Sequence, residues 1–202
     1  MRQLIIALLI ALPVAVAAQE NEWEKQEQKA QTANTDAKYL AGAVPEVDGH
    51  VMFSTTVQVP GKTAEQIYER ALQLMTELTK TSNQLEQSRI AYTNAETHQI
   101  VGSYQEWLVF KNKPLNLDRT RMLYQLVADC RDGEMDLKMM RIVYLYDEER
   151  NPTTYKAEEW INDKYGLNKK QTKLARVSGK FRRKTIDRKD YLFKNLGEMV
   201  QK

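Results

Sequence analysis

Residues 50–78 read HVMFSTTVQVPGKTAEQIYERALQLMTEL, and the periodicity of this stretch changes once. Over residues 50–59 apolar and polar side chains alternate, which is typical of a strand with one buried face. Pro60 and Gly61 break this pattern. Apolar residues then recur from Ile67 to Leu78 at the spacing of one helical face. The stretch therefore predicts a strand, a tight turn and a helix that packs on a sheet.

The turn VPGKT at 59–63 has the ending of the phosphate-binding motif G-x-x-x-x-G-K-[ST]. That motif requires a glycine five positions before Gly61, where this chain has Thr56. Pro60 also removes one backbone N–H group that would bind phosphate. We therefore interpret Thr63 and Gln66 as a capping box that begins the helix, and we predict no nucleotide site.

Four further strands are predicted downstream, at 88–94, 98–110, 119–130 and 134–146. Asp132-Gly133 indicates a hairpin between the last two, and the Met139-Met140 pair indicates a bulge. A short helix at 156–166 and a final helix capped by Asp187 are expected to follow. The order βαββββα predicts an α+β fold in which helices cover one face of an antiparallel sheet.

Four segments are expected along the 202 residues. Residues 1–18 have the basic start, apolar run and small-residue end of a signal peptide, so we predict an exported, soluble, periplasmic or extracellular protein without a transmembrane segment after cleavage. Residues 19–38 are predicted to be a flexible leader. An α+β domain at 39–150 and a basic, partly helical extension at 151–202, packed on or near it, complete the prediction.

Two stretches resemble a known family. YLAGAVPEVDGHVMFSTTVQVPGKTAEQIYERAL, from residue 39, and AEEWINDKYGLNKKQTKLARVSGKFRRKTIDRKDYLF, ending at residue 193, are similar to a domain of unknown function with a TBP-like fold. That family occurs in exported proteins of Gram-negative gut bacteria. The resemblance implies the TBP-like fold and an envelope location, and it implies no activity and no catalytic residue.

Few residues indicate catalysis. Cys130 is the only cysteine, and it has no neighbouring His or acid in sequence, so a buried hydrophobe is favoured over a catalytic thiol. His50 and His98 begin separate strands, and no metal site or cofactor is predicted. The carboxylate pairs at 147–149 and 158–159 are interpreted as solvated charge.

The C-terminal segment is strongly basic. Residues 164–202 contain thirteen Lys or Arg and three Asp or Glu, although the chain as a whole carries a net charge of +3. The candidate anion-binding residues are Lys169, Lys170, Lys173, Arg182 and Arg183. Such a surface fits acidic glycans or lipid headgroups, or it packs against the acidic half of its own chain. Export argues against a nucleic-acid partner.

The predicted sheet also has a face turned away from the helices. Trp107, Arg119 and Arg121 fall out of phase with the apolar residues of their strands and are the candidate contact residues for a ligand or partner. The other interpretation of this face is a second small core under the C-terminal segment.

Three hypotheses follow. The first is a non-enzymatic binding module that contacts an envelope component, or a second copy of itself, through this sheet face. The second is an envelope hydrolase that assembles dispersed acid and His residues in a cleft. The third is an anion-binding surface along residues 169–184.

Overall fold

The computed structural model describes residues 36–113 and 116–202. The predicted signal peptide and residues 19–35 of the predicted leader lie outside these ranges. The last residues of that leader, 36–38, belong to a 3₁₀ turn at Asp36–Tyr39. In the rest of the described chain two strands precede the first helix, five strands follow it and three helices come last, and all strand pairs are antiparallel.

The elements are β1 (Glu46–Val47), β2 (His50–Gln58), α1 (Ala64–Leu78), β3 (Arg89–Asn94), β4 (Gln99–Lys113), β5 (Asn116–Arg131), β6 (Glu134–Tyr146), β7 (Thr153–Lys156), α2 (Ala157–Trp160), α3 (Asp163–Gly166) and α4 (Gly179–Val200). They form one sheet in the order β1-β2-β6-β5-β4-β3, and β7 pairs with β6. The predicted α+β architecture and the βαββββα order are confirmed. The short strands β1 and β7 were not predicted, and the helix predicted at 156–166 is two separate turns.

The turn before α1 is held by local hydrogen bonds, as the capping-box pattern predicts. The Gln66 N–H donates to Thr63 Oγ1 at 3.3 Å, and the Thr63 N–H donates to Gln66 Oε1 at 3.0 Å. Gly61 has a φ of +81°, which glycine adopts without strain. The Ala64 N–H donates to the Asp132 carboxylate at 2.7 Å. The β5–β6 turn thus supplies the anion that the positive end of α1 favours.

Helices α1 and α4 cover one face of the sheet. The strand residues beneath them include Phe53, Tyr104 and Leu126, all buried. The Tyr104 hydroxyl donates to the Met75 carbonyl of α1 at 2.9 Å, which joins β4 to that helix. Gly197 of α4 lies so close to Val57 that a Cβ atom there would be 3.3 Å from the valine side chain. The two helices and the sheet therefore enclose one core.

Two local predictions are corrected. Helix α4 begins at Gly179, so Asp187 does not cap it; Asp187 lies within the helix and accepts a hydrogen bond from the Tyr39 hydroxyl at 2.8 Å. The bulge lies at Arg141, which has a φ of +52°, and not at Met139-Met140. The basic residues before Asp187 are helical because the apolar side of this segment packs on the sheet. This packing stabilises the longer helix more than an N-cap at Asp187 would stabilise a shorter one.

Arg182 ties α4 to the N-terminal part of the fold. Its guanidinium is buried and donates to the carbonyl oxygens of Tyr39, Leu40 and Ile161 at 2.6, 2.6 and 2.8 Å, and to Asp163 at 2.8 Å. Burial lowers the pKa of Arg182, while Asp163 acts in the opposite direction. An arginine predicted to face an external anion is therefore a structural anchor, because its hydrogen-bond donors are directed at its own chain.

A second buried cation, Arg188, pairs with a buried carboxylate. The side chain of Arg188 is 1 % exposed and that of Glu106 is 0 % exposed, and Arg188 Nε donates to Glu106 Oε1 at 2.8 Å. Glu106 Oε2 accepts hydrogen bonds from the side-chain amides of Asn83 and Gln84. The carboxylate therefore joins β4, the segment after α1, and α4.

Removing the Arg188 charge should destabilise the protein severely. We expect Arg188→Met to lower the free energy of unfolding by about 3–5 kcal/mol, because the Glu106 carboxylate is then buried without a counter-charge. The double variant Glu106→Gln/Arg188→Met should be more stable than Arg188→Met alone, since the uncompensated charge is gone. Denaturant unfolding of the two single variants and the double variant measures this coupling.

The matched control is Arg183→Met, on the same helix. Arg183 pairs with Asp36 at 2.7 Å with both side chains partly exposed, so its loss should change the unfolding free energy by about 0–1 kcal/mol. Equal losses for Arg183→Met and Arg188→Met would contradict the distinction between the two pairs.

Candidate functional site

The face of the sheet opposite the helices is only partly shielded. On β4, β5 and β6 the side chains of this face alternate with those of the core, and we call it the open face. Its apolar members include Val101, Leu123, Met140, Val143 and Leu145, which are half-buried. Polar side chains share this face, and partly exposed apolar area with polar residues around it is typical of a contact site for a partner.

Trp107 and Arg119 lie together on the open face. Trp107 pairs with Arg121 across β4 and β5, and Arg119 is one pair further along the same face. The Arg119 guanidinium carbon lies 3.9 Å from the centroid of the Trp107 ring, a close cation–π stack. The structure thus places the three residues of the sheet-face prediction side by side, as period-2 alternation requires.

The loop after β6 brings carboxylates to the same place. Glu148 contacts the Arg121 guanidinium, and each of these side chains is 28 % exposed. Glu149 lies 4.0 Å from Arg119 and is 89 % exposed. The prediction that the 147–149 run is solvated charge is wrong for Glu148, because the turn begun by Asp147, at a φ of +52°, directs that side chain back to the sheet.

Trp107, Arg119, Glu148 and Glu149 border a cleft with a volume of about 270 Å³. Its walls are Trp107, Arg119 and Leu117 on one side and Leu145 with the 147–150 turn on the other. The cleft combines an aromatic ring, aliphatic side chains and both signs of charge. Such a mixture suits a ligand or protein segment that has an apolar part and a polar part.

The five predicted anion-binding residues do not form one surface. Lys169, Lys170 and Lys173 are exposed on the loop before α4, Arg183 is paired with Asp36, and Arg182 is buried. The separation arises because α4 packs on the core, so its cations find partners in the fold while those of the loop do not.

The two histidines lie at opposite ends of the sheet. His98 is next to Cys130, beside the β5–β6 turn, since the Cys130 N–H donates to its carbonyl at 3.0 Å. His50 begins β2, whose far end, Gln58, pairs with Glu134 at that turn. His50 Nδ1 is 3.3 Å from Glu158 with the imidazole 75 % exposed. The histidines therefore do not share a cleft.

An aromatic cluster around Phe181 was missed at the sequence level. Tyr144, Tyr146, Phe110 and Trp160 surround Phe181 with ring centroids 4.7–5.8 Å away. Lys180 Nζ lies 2.7 Å from Asp118 and 3.1 Å from the Tyr146 hydroxyl. These aromatics come from four distant segments, so no local spacing reveals them. The cluster packs the start of α4 against the sheet.

Comparison with known proteins agrees with this architecture. Residues 53–145 match the family model described as "Domain of unknown function (DUF4468) with TBP-like fold". A TBP-like protein from Parabacteroides distasonis ATCC 8503 is 20 % identical and has a TM-score of 0.61 over 78 % of this chain and 97 % of that one. The fold is therefore TBP-like, an α+β class of domain.

A second solved structure is closer in sequence. A DUF4468 family protein from Bacteroides ovatus ATCC 8483 is 41 % identical, with a TM-score of 0.78 over 84 % of this chain and 97 % of that protein. This chain belongs to the DUF4468 family. Among curated proteins no match was found.

Within residues 36–113 and 116–202, no helix has the length and apolar character needed to cross a bilayer. Within the same ranges, no three His, Cys, Asp or Glu side chains are grouped as metal ligands would be.

The environment of Cys130 predicts an unreactive thiol. The residue is buried, and burial raises the pKa of its thiol to about 12, with Asp129 acting in the same direction. Alkylation of the native protein near neutral pH should be at least about a hundredfold slower than in the unfolded chain, since each pKa unit lowers the thiolate fraction about tenfold.

Counting thiols with a disulfide reagent tests this. Wild type should give no fast-reacting thiol when native and one when unfolded. The control Val177→Cys, which adds an exposed cysteine, should give one fast-reacting thiol when native and two when unfolded. One fast-reacting thiol per chain in the native wild-type protein would contradict the interpretation of Cys130 as a core residue.

Proposed function

We propose that this chain is an exported, periplasmic, non-enzymatic binding or interaction module that contacts its partner through the open face. One observation carries the proposal: on the uncovered side of the sheet Trp107 and Arg119 stack together in the wall of a cleft, and Arg121 is the cross-strand neighbour of Trp107. Tryptophan and arginine are the side chains that most often dominate binding energy at interfaces. The partner is an envelope component or a second copy of the chain.

The division of the sheet into two faces supports this proposal. The core face is sealed by α1 and α4, and its Tyr104, Leu108 and Met122 are fully buried. On the open face the intervening Trp107 and Arg121 remain partly exposed. A partner that covers this face removes apolar area from water without disturbing the core.

The charges at the cleft can accommodate a partner. Glu149 is 89 % exposed and 4.0 Å from Arg119, a geometry that contributes little stability. A carboxylate supplied by a partner could replace Glu149 beside Arg119 at small cost. The stack on Trp107 meanwhile holds the guanidinium in a fixed orientation, which reduces the entropy lost on binding.

The hydrolase hypothesis has weaker support. It requires dispersed acid and His residues to converge, and His50 and His98 lie at opposite ends of the sheet. The pair His50–Glu158 is mostly solvated on the His side. Catalytic acids and bases usually lie in a water-shielded cleft that shifts their pKa values.

Truncating Trp107 and Arg121 on the open face tests the proposal. Sedimentation velocity of residues 19–202 over a range of concentrations measures self-association. Photo-crosslinking against an envelope extract of Bacteroides ovatus, the source of the 41 %-identical relative, detects other partners. Trp107→Ala and Arg121→Ala should each weaken the observed association at least about tenfold, as expected for an interface hot spot.

Lys194→Ala and Met199→Ala are the matched controls, because both residues are exposed and lie on α4, which covers the opposite face of the sheet. Thermal unfolding of each variant verifies the fold. If every association persists unchanged in Trp107→Ala and Arg121→Ala, the open face is not the contact surface.

A further inference from the structure

The loop before α4 concentrates positive charge without any acidic residue. Residues 164–178, here called the basic loop, comprise the end of α3 and the loop that follows it; they read KYGLNKKQTKLARVS and contain five Lys or Arg and no Asp or Glu. Lys169, Lys170, Lys173 and Arg176 are all exposed. The loop therefore presents a cluster of positive charge to solvent.

The basic loop is held in one shape by its own hydrogen bonds. Asn168 Oδ1 accepts from the N–H groups of Thr172 and Lys173 at 2.9 and 3.2 Å. The Asn168 N–H donates to the Lys173 carbonyl at 2.9 Å, and Leu167 forms a bridge with Leu174. The lysines at its tip are consequently presented together, without an ordering cost for the backbone on binding.

The cations of this loop differ from those of α4. On the helix, Lys180, Arg182 and Arg188 have carboxylate partners at 2.7–2.8 Å. In the part of the chain that the structure describes, no carboxylate lies within ion-pair distance of Lys169, Lys170, Lys173 or Arg176. Most cations of α4 are paired with carboxylates, whereas these four are not, which favours an external anionic partner.

Apolar side chains flank these charges. Val177 is 54 % exposed and Tyr165 is 44 % exposed. The two residues are close together, because Ser178 Oγ donates to the Tyr165 carbonyl at 2.5 Å and the Ala175 N–H donates to the Gly166 carbonyl at 2.9 Å. A fully hydrated polyanion offers no apolar region that these two side chains could contact. A phospholipid bilayer does, because acyl chains begin directly below the charged headgroups.

We propose that the basic loop docks on an anionic phospholipid surface. The lysines contact headgroup phosphates, and Val177 and Tyr165 enter the interface. Charge and apolar contact are two weak signals that together give stable membrane association. This inference does not depend on the open face, since none of its residues borders the cleft.

Vesicle co-sedimentation of residues 19–202 tests the inference. This polypeptide lacks the apolar run of residues 4–16, which would bind lipid by itself. Thermal unfolding verifies that residues 19–202 are folded. Binding to vesicles containing phosphatidylglycerol should exceed binding to pure phosphatidylcholine and should weaken at high salt. Lys169→Gln/Lys170→Gln/Lys173→Gln should lower the partition coefficient about a hundredfold.

The matched control neutralises three exposed lysines elsewhere, Lys80→Gln/Lys113→Gln/Lys194→Gln, and should retain most of the binding. Val177→Ser should reduce vesicle binding severalfold and leave binding to soluble polyphosphate unchanged. Absence of binding to anionic vesicles at low salt would overturn the proposal. So would equal losses for the two triple variants, or a Val177→Ser variant that binds vesicles as wild type does.

Discussion

The buried pair of Glu106 and Arg188 constrains the rest of the structure. Neither charge reaches water, so the strand that carries the carboxylate and the helix that carries the guanidinium must meet at one alignment. The side-chain amides of Asn83 and Gln84 donate hydrogen bonds to the second carboxylate oxygen of Glu106. These bonds fix the position of the segment that leads from α1 into β3. An apolar core of similar volume would be as stable or more so, but it would tolerate sliding of α4 along the sheet, which this pair opposes.

The two sides of the sheet differ in how their charged side chains are paired. On the helical side, cations of α4 are matched with acids of the sheet, as Lys180 is with Asp118. On the open face the pairs Arg121–Glu148 and Arg119–Glu149 are partly solvated, so they can be exchanged for contacts with a partner. The sealed side thus supplies rigidity, while the open face and the basic loop keep interactions available.

The parts of the fold that follow from local pattern were predictable from the sequence. The capping box, the Asp-Gly hairpin and the shared face of Trp107 and Arg121 each depend on a few neighbouring residues. The contact of Arg121 with Glu148 was not predictable, because it depends on how a loop turns after a bulged strand. Arg188 did leave a signal: it falls on the apolar stripe of its helix, just as Glu106 falls in the apolar phase of its strand. A positive and a negative residue that both fall at core positions are expected to form a buried ion pair.

The anchor made by Arg182 has a consequence for the order in which the protein can be completed. Its hydrogen bonds fix the carbonyls of Tyr39 and Leu40, so the beginning of the domain is held by residues close to the end of the chain. Synthesis proceeds from the N-terminus, and α4 is the last element to emerge. The nascent sheet, covered by α1 alone, must therefore wait with the α4 part of its core face exposed until the final helix arrives, and a chain truncated before Gly179 would leave that part exposed.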